Sequence, residues 1–237
     1  SIQHIENARQ QLELEHKQKQ TENLSLQMMQ TLSTTIEAKD EYTRGHSYRV
    51  AEYAALIAAE LGWSSEEIQQ LKHAAYLHDI GKIGIADLIL NKPSRLTDDE
   101  YNLIKKHTVI GAEILKDITF VPHIVEVARN HHERYDGNGY PDGLSGVEIP
   151  IHARITAMAD SYDAMNSRRI YRNALPPEMI REEISKNRGK QFDPEITDVF
   201  LKLLDEKRVV LHNIRTQEIT APPEADHTIN KFISEVV

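Results

Sequence analysis

The sequence predicts an all-α protein, a helical bundle preceded by a long N-terminal connector helix. Three observations lead there. Residues 1–39 contain neither glycine nor proline and are dense in Gln, Glu, Lys and Leu, the composition of one uninterrupted helix. Beyond Asp40, apolar residues recur at helical spacing between well-marked starts and stops. Strand-like alternation is scarce before residues 209–220, where Val210, His212 and Ile214 alternate; that tail stays unassigned.

The first helix carries scattered apolar positions (Ile2, Ile5, Leu12, Leu24, Met28), and only Met29, Leu32 and Ile36 form a clean run, with Arg9, His16 and Lys19 on the same stripe earlier. This reads as a weak coiled-coil seam joining a parallel homodimer; a simply solvated helix is the other reading of so polar a surface. From His46 to Leu61, Val50, Tyr53, Ala54 and Ile57 share one face, and Gly62 stops the helix. Ser64 and Glu67 form a capping box for a helix running through His78. Thr97 and Glu100 open a third, continuing past His107 to Leu115; Pro122 stands near the start of a fourth, which ends at His131 and His132. Pro150 precedes a fifth reaching Met165, and two more follow Pro176-Pro177 and Asp193-Pro194. Tyr135 to Gly146 holds four glycines and a proline, a structured turn region. No buried strand precedes it, so it is not a dinucleotide fingerprint. The expected division is a connector at 1–39, a main domain at 40–205 and an unassigned extension at 206–237.

Composition excludes several functions. With 237 residues, 40% hydrophobic and 27% charged, the chain has the balance of a soluble globular protein. No run approaches the roughly eighteen apolar residues of a membrane span, so no membrane segment is expected. The absence of cysteine removes disulfides, thiolate metal sites and sulfur nucleophiles. The absence of an apolar leader favours a cytoplasmic location. A net charge of −9 has the wrong sign for wrapping duplex nucleic acid. A small phosphate ligand requires local cations that invert the field.

Twelve histidines are the chemical resource that remains. His46 aligns with Val50, Tyr53 and Ile57; His78 with Ile68, Leu71 and Ala75; His107 with Ile104, Gly111 and Ile114; His131 with Ile124 and Ala128. All four therefore face the core. One inward histidine is most often a hydrogen-bonded core residue, but four without shared partners would be costly to bury. A metal centre satisfies them together. Asp79 directly follows His78. Asp160 lies on the small-residue stripe Ala153, Ala157 and Ala164, which suits either a cramped charged site or tight packing around a buried hydrogen bond.

Those residues sit in specific motifs: L-H-D-I-G-K-I-G-I around His78 and Asp79, N-K-P at 91–93, His107, H-H-E-R-Y-D-G-N-G-Y-P-D-G-L at 131–144 and A-D-S-Y-D-A-M at 159–165. In order and spacing, from about Glu37 to Phe200, the chain resembles the HD-GYP family of bacterial cyclic di-GMP phosphodiesterases. The resemblance implies an HD-type helical bundle with a metal centre. One ion would be held by His46, His78, Asp79 and Asp160, the other by Asp79, His107, His131 and His132, with Asp79 bridging. A metal pair serves both nucleophile generation and charge neutralisation at a phosphoryl group. Members with a third metal carry a glutamate where this sequence has Tyr42. Two divalent ions are therefore expected, Fe or Mn first, with Ni, Zn or Mg as other candidates.

The same resemblance assigns Asp79 and Lys82 to catalysis and Lys82, Tyr140, Asp163, Arg169 and Arg172 to substrate. Asn166 to Arg172, N-S-R-R-I-Y-R, departs from the family's common T-S-D-R-P-Y-R, with Arg168 for an acid and Ile170 for proline; the shape of the substrate pocket, not the metal centre, is where that departure acts. The expected activity is hydrolysis of cyclic di-GMP to linear pGpG and onward to GMP, under an upstream sensor or receiver domain. Its rivals are a non-catalytic cyclic dinucleotide relay and an HD phosphohydrolase of another nucleotide. A degenerate relay should have lost ligands, and none is missing.

Overall fold

The computed structural model describes residues 2–40, 45–167 and 174–209. Tyr42, Arg169, Arg172 and the expected strand-like tail from Val210 onward lie outside them. The order is α1 Ile2–Glu37, α2 His46–Glu60, α3 Ser65–Tyr76, a 3-10 turn Ile80–Gly84, α4 Asp87–Leu90, α5 Asp98–Lys105, α6 His107–Leu115, α7 Ile124–Asn130, a 3-10 turn Gly146–Glu148, α8 Ile151–Asn166, α9 Pro177–Lys186 and α10 Pro194–Asp205. Among the described residues there is no strand, only an isolated bridge between Arg188 and Phe192. None of these helices is long and apolar enough to cross a membrane.

The caps operate as the sequence suggests. Ser64 and Glu67 close a capping box on α3, and Thr97 and Glu100 one on α5. The Asp193 carboxylate accepts from the amides of Glu195 (2.7 Å) and Ile196 (3.3 Å), with Pro194 in the first turn, where its missing N–H costs nothing. Two boundaries differ from expectation. α3 ends at Tyr76, so His78 and Asp79 stand in the turn beyond it. The expected third helix breaks at Lys106 into α5 and α6. There the His107 imidazole donates to the Ile104 carbonyl (2.7 Å) and the Thr108 hydroxyl to the Lys105 carbonyl (2.9 Å). Side-chain donors thus occupy acceptors that a continuous helix would give to backbone amides.

Two apolar clusters hold the bundle. One joins α2, α3, α8, α9 and α10 through Ile57, Leu71, Met158 and Phe200. There Tyr162 stands edge-on to Tyr53 (4.8 Å) and Phe200 (5.0 Å). The other joins the end of α1 with α3, the first 3-10 turn, α6 and α7 through Met29, Ile36, Leu77, Leu115 and Ile124. Because α2 and α3 feed both clusters, they fix the position of everything between them.

The end of α1 belongs to this packing. Met29 and Ile36, expected in a seam between two copies, are 4% and 6% exposed and face their own bundle, whereas Leu32 stays 47% exposed. A stripe about 100° further round the helix, Leu24, Met28 and Leu32, is left bare, as are Leu12 and Leu14 nearer its start. At its end and just past it the chain is tied down at three points. Glu37 accepts from the amides of Gly45 (2.6 Å) and Ser47 (2.8 Å) at the start of α2. Lys39 donates to the carbonyls of Ile83 (2.8 Å) and Ile85 (2.5 Å), and Asp40 pairs with Lys82 at 2.9 Å.

Phe200 is fully buried at the centre of the first cluster. Phe200→Ala is expected to destabilise the fold by about 3–5 kcal/mol, read as a lower urea midpoint with an unchanged denaturant slope.

Candidate metal centre

The described candidate ligands converge from every element between the two clusters. His46 opens α2, His78 and Asp79 follow α3, His107 opens α6, His131 and His132 follow α7, and Asp160 lies in α8. Neighbouring rings crowd together, T-shaped for His46 to His78 at 5.4 Å, His78 to His131 at 4.9 Å and His107 to His132 at 5.1 Å, and tilted for His131 to His132 at 4.2 Å between centroids.

Close backbone packing brings them together. Gly81, two residues after Asp79, approaches α6 so nearly that a Cβ there would lie 1.9 Å from the His107 carbonyl oxygen and 2.5 Å from the Gly111 amide. Only glycine permits this contact, and it sets Asp79 beside His107. Gly139 has the same role in the following loop, since a Cβ would fall 2.3 Å from the Arg134 amide. That loop is folded around Glu133, whose carboxylate accepts from the amides of Asp142 (2.7 Å) and Gly143 (3.1 Å), while Arg129 grips Asp142 with both nitrogens (2.8 and 2.6 Å). The result lays Tyr140 over His132 at 4.9 Å and 28°.

The hydrogen-bonding of the imidazoles shows what the site accepts. His78 Nδ1 donates to the Ala75 carbonyl (2.7 Å), His107 Nδ1 to the Ile104 carbonyl (2.7 Å) and His131 Nδ1 to the Val127 and Ala128 carbonyls (3.0 and 3.1 Å). His46 Nδ1 is bound by Asp163 at 2.8 Å. Four rings thus have Nδ1 tied back; in the three bound to carbonyls this fixes the tautomer and presents the Nε2 lone pair inward, and His46 would do the same once a metal displaced its second proton. His78 Nε2 is buried with no hydrogen-bond partner. His107 Nε2 and His131 Nε2 face each other at 3.4 Å, an arrangement that calls for a cation between lone pairs. Asp79 divides its carboxylate between the two groups: Oδ2 lies 4.0 Å from His46 Nε2 and 3.5 Å from His78 Nε2, Oδ1 3.4 Å from His107 Nε2 and 3.8 Å from His131 Nε2. Asp160 Oδ1 lies 3.2 Å from His46 Nε2. Donor atoms of Asp79, His107, His131 and His132, and separately of His46, His78 and Asp79, cluster closely enough to hold an ion each. All-nitrogen and carboxylate donors suit divalent transition metals, and the residues fit a two-ion centre.

Electrostatics follow from burial and crowding. Burial, then neighbouring imidazoles, holds His131 well below its ordinary range and depresses His107, while burial and His107 push His132 down to about 4. His46 is the exception: burial opposes its charge, but Asp160 and Asp163 raise it to about 9. Burial alone would raise Asp79; Lys82 and the surrounding histidines outweigh it and hold the carboxylate well below its usual range. Lys82, 2.8 Å from Asp79 and 2.9 Å from Asp40, is raised by both despite its burial.

The centre forms the floor of a cleft of about 930 Å³ whose wall includes Lys82, Arg95, Tyr101, Arg134, Tyr140 and Gln191. Lys105 lies over the Tyr101 ring at 4.7 Å and the Tyr140 ring at 5.4 Å. These are the local cations that an acidic chain needs. Asp163 does not face this cleft. It is 1% exposed, with His46 on one oxygen and the Arg49 side chain on both (2.7 and 2.9 Å). The assignment of Asp163 to substrate is therefore corrected to the positioning of His46. Sequence reasoning also passed over Asp40, Arg49 and Glu133; of these only Glu133, inside the H-H-E run, had a local signal.

Residues 30–196 match the family model described as HD domain. The chain is 44% identical over 184 residues to a cyclic di-GMP phosphodiesterase of Thermotoga maritima, covering 77% of this chain and 50% of that protein. It is 41% identical to the cyclic di-GMP phosphodiesterase response regulator RpfG of Xanthomonas campestris (77% and 49%) and 38% identical to a 3'3'-cGAMP-specific phosphodiesterase of Vibrio cholerae (77% and 35%). The chain spans half or less of the length of these relatives. In fold it is similar to a cyclic GMP-AMP specific phosphodiesterase of V. cholerae, with a TM-score of 0.61 at 21% identity over 77% of this chain and 49% of that one. It is likewise similar to the PgpH HD domain of L. monocytogenes in complex with cyclic-di-AMP, at 0.54 and 24% over 77% and 97%.

Two outcomes follow from the centre. In chelator, stability should peak near pH 6.5. Below it, His132 stays neutral in the fold until about pH 4 while the unfolded chain takes up protons, so stability falls with pH; above it, the stabilisation that protonated His46 contributes is lost as pH rises towards about 9. Thermal unfolding across pH 4–9 checks this, and a monotonic profile contradicts it. Asp163→Asn should weaken metal affinity about 10–100-fold with helical content intact, measured by metal-buffered titration.

Proposed function

Given that the chain belongs to the HD domain family, we propose that it is a metal-dependent phosphodiesterase that hydrolyses cyclic di-GMP to linear pGpG and onward to GMP. The observation that carries this reading is the division of the Asp79 carboxylate between two sets of inward imidazole nitrogens. Its relatives' names supply the substrate class.

His46, His78, Asp79 and Asp160 would hold one ion and Asp79, His107, His131 and His132 the other, with Fe or Mn favoured and Ni, Zn or Mg as alternatives. Two such ions supply Lewis-acid polarisation of a phosphoryl oxygen and a nucleophilic water at neutral pH. The remaining work falls to the chain. Lys82 keeps its proton between Asp79 and Asp40 and offers its charge at the edge of the cleft, where negative charge develops on the phosphoryl oxygens. Tyr140, stacked on His132 and flanked by Tyr101 and Lys105, gives a planar base a stacking surface. Arg169 and Arg172, outside the described residues, are assigned to phosphates of the ligand. A mixed cyclic dinucleotide is the second reading, favoured by the relatives named as cGAMP-specific.

The protein is proposed to act in the cytoplasm as a parallel homodimer, with the exposed stripe Leu24, Met28 and Leu32 rather than Met29 and Ile36 as its seam and with α1 leading from an upstream sensor or receiver domain. Burying each of these side chains is worth about 1.5–3 kcal/mol, enough in pairs to offset part of the cost of association.

Turnover of cyclic di-GMP and cyclic GMP-AMP by metal-reconstituted protein tests the activity. Lys82→Met should lower kcat/KM about 10²–10³-fold with metal content retained, and Arg169→Ala should raise KM more than it lowers kcat. His107→Ala should remove turnover together with one ion. Protein loaded with two ions that cleaves neither dinucleotide would overturn the assignment. Leu24→Glu with Leu32→Glu should move the protein towards monomer in sedimentation; an unchanged dimer would place the interface on the bundle.

A further inference from the structure

A second group of metal-binding side chains lies away from the cleft, where α7 and α8 begin. His123 caps α7 and His152 stands in the first turn of α8. Their rings stack at 3.8 Å between centroids and 14° between planes. Glu126 lies 2.8 Å from His123 Nδ1. One donor atom from each of the three residues lies no more than 4.8 Å from the others, so side-chain rotation can bring them to the spacing of about 3.3 Å that tetrahedral ligands around zinc have. The side chains of His123 and Glu126 are 41% and 49% exposed, so an ion from solvent reaches them directly.

Two further features set this group apart from an accidental surface cluster. His123 is one of two non-glycine residues among those described with positive φ, at φ 61° and ψ 5°. That conformation is uncommon for a residue with a Cβ, and here it sets the imidazole against His152; because the lone pairs of stacked rings lie in near-parallel planes, the exposed His123 ring would rotate out of the stack to share an ion. On its other side His152 meets the edge of Trp63 at 5.0 Å, which buttresses the ring from the α2–α3 corner.

We propose that His123, Glu126 and His152 form a separate, solvent-open site for a divalent transition ion of the imidazole-preferring class, Zn²⁺, Ni²⁺ or Cu²⁺. The site is of His₂Glu composition, with remaining positions filled by water. It has a defined relation to the central cluster. His123 precedes His131 by eight residues and His152 precedes Asp160 by eight, so the ion would staple α7 to α8 about 12 Å from the ligands that these two helices carry.

The chain supplies its own reporter, because Trp63 is its single tryptophan. Ni²⁺ added to the protein should quench Trp63 fluorescence saturably, at one ion per chain, and excess Zn²⁺ should reverse the quenching. Asp79→Asn, which disables the central cluster, should leave the quenching intact, so this site and the catalytic reading can fail separately. His123→Gly removes a ligand at a backbone position that glycine adopts without strain and should weaken Ni²⁺ at least about tenfold while the fold is retained. Glu126→Gln, with the ring pair untouched, should also weaken it. Quenching that persists unchanged in both variants, or its absence in the Asp79→Asn protein at millimolar Ni²⁺, would overturn the proposal.

Discussion

The structure is organised by the way its central histidines are held from behind. A buried imidazole that spends Nδ1 on a backbone carbonyl, as His78, His107 and His131 do, can point only a lone pair forward. Several such lone pairs around Asp79 cannot satisfy one another, because none brings a proton. The bundle thus carries a built-in demand for positive charge at its centre, and the burial of these groups makes the demand strong. Helix starts, glycine contacts and the loop after α7 can all be understood as means of holding those rings still.

Much of this was legible in the linear order of residues. Helix limits followed from Ser64 with Glu67, Thr97 with Glu100 and Asp193 with Pro194, because capping is a local interaction. The inward direction of His46, His107 and His131 followed from their apolar neighbours at helical spacing. What was not legible depends on contacts between distant segments. Gly81 reads as one glycine among ten until α6 is found against it. Asp163 shares its motif with Asp160, yet three residues along the helix it turns away from the cleft to the back of His46. The break at Lys106 arises from side-chain donors competing for carbonyls, a balance that periodicity does not register. At the end of α1, Met29, Leu32 and Ile36 look equivalent in sequence, and only the position of α3 decides which two are covered.

Charge shows a similar division of labour. The chain is acidic overall, and its central carboxylates are gathered around a few buried cations. Asp40 and Asp79 both pair with Lys82, while Asp160 and Asp163 both bear on His46. Asp40 and Asp79 share the single charge of Lys82, which leaves negative charge at the floor for bound ions to offset, while Arg95 and Arg134 stand on the wall of the cleft. Net charge describes how the molecule meets solvent; it says little about a centre in which each ion is paired within 3.2 Å.

The anchoring at the end of α1 gives the long helix a mechanical meaning. Glu37, Lys39 and Asp40 are consecutive or nearly so, yet they hold three different parts of the centre: the amides that open α2 at His46, the carbonyls of the turn after Asp79, and the ammonium of Lys82. A rigid rod that ends in three such grips works as a crank. Rotating it through a single residue step would shear all three together, drawing the counter-charge from Lys82 and loosening the base of His46 in one stroke. The far end of that rod, some 50 Å away for 36 residues, is a place from which the floor of the cleft can be turned without being touched.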